Sequence, residues 1–429
     1  MLDSSPTSPA LCERSPSPAP SDTLVLKPCR PVVRPVRTTA DFDALAEGWN
    51  RLYESCPTST TPFQSYAWMR SWWRQVGESD PELRLTILVV EDRGEITAIA
   101  PLAVRTTRLA GVRTRRVIPL GVPYTDYLPP LISGDPQCGR AAVGALARSI
   151  AQWAAETGAG GFDELVLSDL PEHWPWLEAW QAALREAGLR CRREPGDICP
   201  RVVLADTWEE TWQLLPPVTR GKIGRRLRQL RSRHDAHLEL AGGPDTIERD
   251  LDDVIRLHQR RWSAAGQPGM FANPQLLGLV RDAAPVLAAQ HRLVVAFLVV
   301  DGVRRVALLG LRHAQEFHFY TGGLDDAGEA MRYSPGIVAH LELMRVLHEQ
   351  GVRVYDLLRG SESYKSDLGG VGSPTWTLSV SGRRPRVGRA VLRSRAWAAA
   401  RYASLSIAAR DTTRRLAGGL RPRWRPARG

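Results

Sequence analysis

Apolar residues recur at helical spacing through Phe42, Leu45, Trp49 and Leu52, which predicts a helix opening at Thr39 or Asp41. A second helix, SYAWMRSWWRQVG, carries Trp68, Trp72 and Trp73 and stops at Gly77. Aromatics spaced i and i+4 are core contacts more often than a ligand box. The period then changes. LRLTILVVEDRGEITAIAPLAV (83–104) reads as a β-branched strand, an acidic turn with glycine and a second strand, and RLVVAFLVVDGVRRVALLGL (292–311) repeats that plan with Asp301-Gly302 as its hairpin signal. The first copy continues through RRVIPLG, a helix over 139–157 and the strand FDELVLSDL. The second continues through EFHFYTGG, a helix over 335–350 and the strand VRVYDLL. Two units built as hairpin, strand, helix, strand predict an internal duplication of α/β (α+β) class, with two mixed sheets flanked by helices.

Four regions follow. Residues 1–38 are rich in Ser and Pro with few large apolar groups, so they are expected to be disordered. The first folded unit spans 39–200 and the second 201–381. From Gly382 to Gly429 runs a tail with fourteen arginines and one acid, Asp411. The net charge of +11 therefore sits in the tail, and the body of the chain is slightly acidic. Arginines and apolar residues of the tail do not segregate at 100° per residue, so weak association with an anionic surface is the most it predicts. No apolar run approaches the length of a bilayer-spanning helix, and the N-terminus lacks the basic start and apolar core of a secretory signal. A cytoplasmic protein is expected, at most peripheral to the inner face of a membrane. The six cysteines are scattered, with no C-x-x-C and no Cys/His cluster at ligand spacing, so neither a disulfide framework nor a metal site is expected.

Candidate chemistry lies at four places. The helix 221–234 puts Ile223, Leu227 and Leu230 on one stripe and surrounds them with cations including Arg225 and Arg226. Such a face is either solvated or turned to phosphate, and it lacks the acidic partners at i+4 that a merely soluble helix tends to carry. YSPGI (333–337) opens a helix, with Ser334 as N-cap, Pro335 at its first position and Gly336 and Ile337 next, a start that can hold a pyrophosphate. In VYDLLRGSESYKSDLGG (354–370), Arg359 and Lys365 can bind anionic oxygens, Glu362 can orient an amine or serve as base, and Tyr364 can donate to an oxyanion or leaving thiolate. The same residues read equally as a salt-bridged loop. GVPYTDYLPPLI (121–132) sets Asp126 between Tyr124 and Tyr127, where it is a partly desolvated base or a turn residue. Metalloprotease, serine-nucleophile and P-loop motifs are absent.

PFQSYAWMRSWW, PYTDYL, GKIGRRLRQLR, LHQRRWSAAGQPGMF, YSPG and YDLLRGSESYKSDL occur in an order that resembles the acetyltransferase family typified by the cellulose-biosynthesis protein CelD, over residues 41–381. That family lies in the GNAT (N-acetyltransferase) superfamily and is similar to the Fem-type peptidyltransferases. The resemblance implies tandem GNAT-like halves and transfer of an acyl group from acetyl-CoA or another acyl-CoA to an amine or hydroxyl of a small-molecule, saccharide or peptide acceptor. It implies Asp126 and Lys365 at the reaction centre, with Glu362 and Tyr364 in the same run. Ser334, Gly336, Ile337 and Arg359 would face the donor, and Tyr127, Tyr320, Arg225 and Arg226 the acceptor side. An aminoacyl-tRNA donor, as in Fem-type enzymes, is the second expectation. A non-catalytic scaffold for polysaccharide synthesis is the third, and nucleic acid is otherwise a lesser candidate partner.

Overall fold

Near-continuous runs of Val, Leu, Ile and Ala, buried on both faces, carry both hairpin stretches into antiparallel pairs, and the chain is built outward from those two pairs. The computed structural model describes residues 29–382 apart from 57–59, 110, 157–159, 326–327 and 361. The first half runs β1 (Val32–Val36), α1 (Thr39–Asp43), α2 (Ala46–Glu54), α3 (Tyr66–Trp72), β2 (Leu83–Leu85), β3 (Ile87–Asp92), β4 (Glu95–Ala100), β5 (Leu102–Leu109), β6 (Val112–Pro119), β7 (Leu131–Ile132), α4 (Pro136–Ala155), β8 (Glu164–Pro171), α5 (Leu177–Glu186) and β9 (Cys191–Val203). The second runs α6 (Trp208–Leu214), α7 (Pro217–Arg233), β10 (Ala236–Ala241), α8 (Ile247–Ala264), α9 (Pro274–Ala289), β11 (Leu293–Val300), β12 (Val303–His313), β13 (Glu316–Leu324), α10 (Pro335–Glu349), β14 (Val354–Asp356), α11 (Ser363–Asp367) and β15 (Val371–Ser381).

The fold is mixed α/β. A four-stranded sheet has the order β1-β3-β4-β7, and an eleven-stranded sheet the order β10-β11-β12-β13-β14-β9-β15-β8-β6-β5-β2. The duplication is plain in this order: each half presents an antiparallel hairpin, then a parallel pair (β6 with β8, β13 with β14) bridged by a helix. The halves also exchange their last strands. β9, which ends the first half, pairs with β14, while β15, which ends the second, pairs with β8 and β9. The boundary expected at residue 200 therefore falls inside a strand that both halves share.

Three apolar cores follow from this layout. One lies under α4 and α5, one between α7, α10 and the second half's strands, and a third is common to α1–α3, α8, α9 and both hairpins. Trp49, Trp68, Trp72 and Trp73 are buried in the shared core, as the helical spacing implied. Gly323 lets α8 lie against β13, because a Cβ there would stand 2.3 Å from the His258 nitrogen.

Local differences from the sequence reading have physical causes. Residues 32–36, expected within the disordered N-terminal region, form a strand, since Val36 is buried and the strand pairs with β3; its Pro35 is tolerable because β1 is an edge. The first helix is two helices, α1 and α2, and its N-cap is Thr38, whose hydroxyl accepts from the Asp41 amide at 3.1 Å. The 83–104 stretch breaks at Thr86 and at Pro101, so β2 pairs with β5 and β3 with β4. The basic helix starts earlier, at Pro217. The arginine tail from 383 and residues 1–28 lie outside the described residues.

Candidate active site

β13 and β14 run parallel for three residue pairs, from Glu316 with Val354 to His318 with Asp356. Beyond that they part. β13 stays with β12 through a register slip that leaves Tyr320 unpaired, while the chain after Asp356 follows β9, with the Leu357 amide donating to the Pro200 carbonyl at 2.9 Å. A wedge opens at the carboxyl ends of two parallel strands, the place where open α/β sheets bind ligands. Phe317, Phe319 and Tyr355 belong to the core on the α10 side; Tyr320 belongs to the core shared with the first half.

The first half fills the shared side of the wedge with its 121–130 loop. Trp68 holds that loop by donating its indole N–H to the Thr125 hydroxyl at 2.9 Å. Tyr320 donates its hydroxyl to the Tyr124 carbonyl at 2.9 Å, and Tyr127 donates to Asp356 Oδ2 at 2.8 Å. Arg359 closes the arrangement: its Nε pairs with Asp126, its Nη2 donates to the Thr125 carbonyl at 2.9 Å, and Asp169 and Asp197 approach at 3.6 and 3.5 Å. One guanidinium thus faces three carboxylates. Asp126 is only 13% exposed, and burial pushes its carboxyl up against the pull of Arg359. Burial raises Asp169 as well. Burial opposes the charge on Arg359, but the aspartates outweigh it and hold the guanidinium protonated.

Lys365 is buried and spends its protons on its own loop. Nζ donates to the Leu358 carbonyl at 3.1 Å and the Arg359 carbonyl at 2.7 Å, and it pairs with Glu362 at 3.2 Å. An ammonium has three protons to give, so Lys365 shapes the segment that carries Arg359 and is not aimed at a reacting oxygen. Gly360 makes the tight turn possible: at φ 133° a Cβ would stand 2.2 Å from the Glu362 carboxylate. Tyr364 stacks on His340 of α10, with ring centroids 5.6 Å apart, and burial raises its hydroxyl so that it stays protonated. His340 also meets the Tyr355 hydroxyl through Nδ1 at 2.8 Å, and burial together with the Lys365 charge lowers it to about 3.

The helix start expected at 333–337 is present with one change. Ser334 occupies the N-cap position of α10 in the left-handed conformation (φ 51°, ψ 59°), and its side chain makes no capping bond. Pro335 has no N–H, and the Ile337 and Val338 amides donate to the Ser334 carbonyl at 3.0 and 3.2 Å, which leaves the Gly336 amide for another acceptor; a Cβ at Gly336 would meet nothing within 4 Å. Helix α7 packs beside it, with Arg231 bonded to Glu342 of α10 at 3.0 Å. Lys222, Arg225, Arg226, Arg228 and Arg233 on α7 make no ion pair among the described residues.

Backbone strain concentrates here. Eight described non-glycine residues have positive φ, and four of them, Tyr127, Asp169, Ser334 and Leu358, belong to this region. Such conformations cost about 1–3 kcal/mol each and persist where the surroundings over-determine them.

Several expected roles change with this geometry. Asp126 meets Arg359, whereas Lys365 holds the loop; Arg359, expected to bind anionic oxygens and face the donor, is an aspartate partner. Tyr127 is 1% exposed and braces Asp356, so it cannot touch an acceptor, and Tyr320 is tied to the 121–130 loop. The sequence reading does not single out Asp169, Asp197 or His340, and takes Trp68 only as a core contact, because the four come from separate elements with no motif between them. The Asp169 signal was an acid ending an apolar strand, LVLSDL.

Residues 218–366, about a third of the chain, match the family described as Acetyltransferase (GNAT) domain. No curated protein sequence matches the chain. Among solved structures, FemX aligns at 10% identity and a TM-score of 0.53, over 80% of this chain and 96% of FemX. A tandem GNAT protein from the clavulanic acid biosynthesis pathway aligns at 15% identity and 0.41, over 82% and 99%. L-PGS from Bacillus licheniformis aligns at 12% and 0.44, over 83% and 96%. The FemX likeness bears on fold alone, and it spans both halves. No described helix is long and apolar enough to cross a membrane. Across the α7-to-α11 region that forms the wedge, this chain is similar to a GNAT acetyltransferase domain, set in a duplicated α/β fold.

Proposed function

We propose that the protein transfers an acyl group from acyl-CoA to an amine. The observation that carries this is the wedge between β13 and β14, which has a helix start without a side-chain cap at one side and one arginine facing three aspartates at the other. Residues 334–337 would hold the donor's pyrophosphate, with Arg225 and Arg226 of α7 available to its outer phosphate. The excess of carboxylates over the single guanidinium favours an acceptor that arrives as an ammonium ion.

Chemistry then needs a proton acceptor and a proton donor. Asp126, or Asp169 beside it, takes a proton from the ammonium; the freed amine attacks the thioester carbonyl, the C–N bond forms and the C–S bond breaks. The second proton of the nitrogen leaves with the same carboxylates or water, and the thiolate is protonated as it departs, with Tyr364 as the nearest acid in the run. Lys365 and Glu362 act through the loop they hold. The motif order that resembles the CelD-type family makes a cell-envelope or exopolysaccharide amine the acceptor class to try first.

The unpaired cations of α7, running alongside the α10 start, favour one second reading: a donor with an extended phosphate backbone, namely an aminoacyl-tRNA. A thermal-shift series separates the two. Acetyl-CoA and longer acyl-CoAs are expected to raise the melting temperature at sub-millimolar concentration, and Gly336→Asp to abolish the rise. Stabilisation by aminoacyl-tRNA and not by any CoA ester would replace the donor. No response to either would reject transfer and leave a scaffold.

A further inference from the structure

Outside the wedge, the fold gathers a second set of chemistry-bearing side chains that no sequence spacing announced. Cys29 precedes β1, Asp92 ends β3 and Cys138 lies in the first turn of α4. Their ligand atoms all lie within 4.8 Å of one another. The two sulfurs are 3.7 Å apart although 109 residues separate them. Zinc binds thiolate at about 2.3 Å, so two thiolates on one tetrahedral ion stand ~3.8 Å apart. A disulfide needs ~2.05 Å between sulfurs, which this pair would reach only by moving.

The surroundings hold the three groups in place. The Arg30 amide donates to Asp92 Oδ1 at 2.9 Å, which orients the carboxylate and leaves Oδ2 for another partner. Asp92 is buried at 8% exposure. Asp135 fixes Cys138 by accepting from its amide at 2.7 Å. Both cysteines are partly exposed, so an ion can enter and a water can complete the shell.

We propose that Cys29, Asp92 and Cys138 form a binding site for a soft divalent cation, Zn²⁺ by ligand type, that clasps the entry of the fold to β3 and α4. Two thiolates and one carboxylate select zinc or cobalt over magnesium and calcium, which take oxygen shells. The site is independent of the transfer reaction.

The test uses the full chain, reduced and stripped with a chelator. Titration with Co²⁺ is expected to give a thiolate-to-cobalt charge-transfer band that saturates at one equivalent and is bleached by Zn²⁺, with a rise in melting temperature. Cys29→Ser and Cys138→Ser, each checked for native circular dichroism, should each abolish the band; Asp92→Asn should weaken binding at least tenfold. Cys191→Ser is the control that should change nothing. A wild-type chain with no band, or a band that survives both cysteine substitutions, overturns the proposal. A Cys29–Cys138 cross-link in non-reducing peptide maps, with no metal uptake after reduction, would make the pair a redox element instead and overturn it equally.

Discussion

The two halves carry the same helix at the same topological place, and they treat its N-terminus in opposite ways. In the first half, Asp135 caps α4, accepting from the amides of Gln137 and Cys138 at 3.1 and 2.7 Å, so a carboxylate fills the helix start. In the second, Ser334 is turned into the left-handed region, makes no side-chain cap and is followed by Gly336 facing open space. An anion would be repelled at one and accepted at the other. The parallel pairs differ as well. Above β6 and β8 the first half's own chain folds back, with the Leu128 amide donating to the Asp169 carbonyl at 3.1 Å. That same 121–130 loop then lines the second half's wedge, which its own chain leaves open. Under the proposed function, the duplicated fold keeps one site and turns the other copy into its wall. The division explains why the candidate residues come from both halves.

Four measurements bear on that contrast. Asp126→Asn is expected to have the largest effect, a loss of about 10²- to 10⁴-fold in kcat/KM, because it removes the proposed proton acceptor of the first half. An unchanged rate would return the site to the second half alone. Gly336→Asp gives the second half's helix the carboxylate that the first half's already has; KM for a phosphate-bearing donor should rise at least tenfold with kcat little changed. In the reciprocal change, Asp135→Ala should lower the melting temperature slightly and leave transfer intact. If it reduced transfer, both helix starts would be functional and the contrast would fail. Tyr127→Phe removes the hydroxyl that joins the two halves at Asp356 and should cost about 1–3 kcal/mol in a denaturation series, since a fully buried carboxylate loses a partner.

The smallest effect is that of pH. Burial lowers His173, His258 and His313 to about 4 and His340 to about 3. The unfolded chain takes up protons near pH 6.5 that the folded one refuses, so their contribution is complete above about 6.5 and lost as pH falls toward about 4. Asp356, raised to about 7 by burial, acts the other way, losing stability as pH climbs from about 4 to about 7. Four histidines outweigh it. The melting temperature should fall on acidification across that window, and more steeply in Asp356→Asn; a flat profile would contradict the neutral, buried state of these histidines.

Much of the fold was legible because its signals are local. The two hairpins, the strand and helix that follow each, and the Trp-bearing helix rest on period and turn residues, and they appear where the pattern put them within a few residues. The misreadings are equally local in cause: Pro101 breaks one strand between two sheets, and a short edge strand at Val32–Val36 was hidden by its Pro-rich neighbours. Of the site, Asp126, Arg359, Tyr364 and the YSPG start were visible as residue types in suggestive places. Their partners were not.

The sequence alone therefore determined the duplication, the class of fold and the location of the charge, since each depends on residues near one another in the chain. Only the tertiary structure decided that Asp126 faces Arg359 rather than Lys365, that Lys365 braces a loop, and that Cys29 and Cys138 meet across 109 residues. The first pairing joins the two halves and the last joins the start of the described chain to α4, while Lys365 turns back onto carbonyls of its own loop. A side chain's partner is set by which strands adjoin, and no period or spacing in the chain encodes that order.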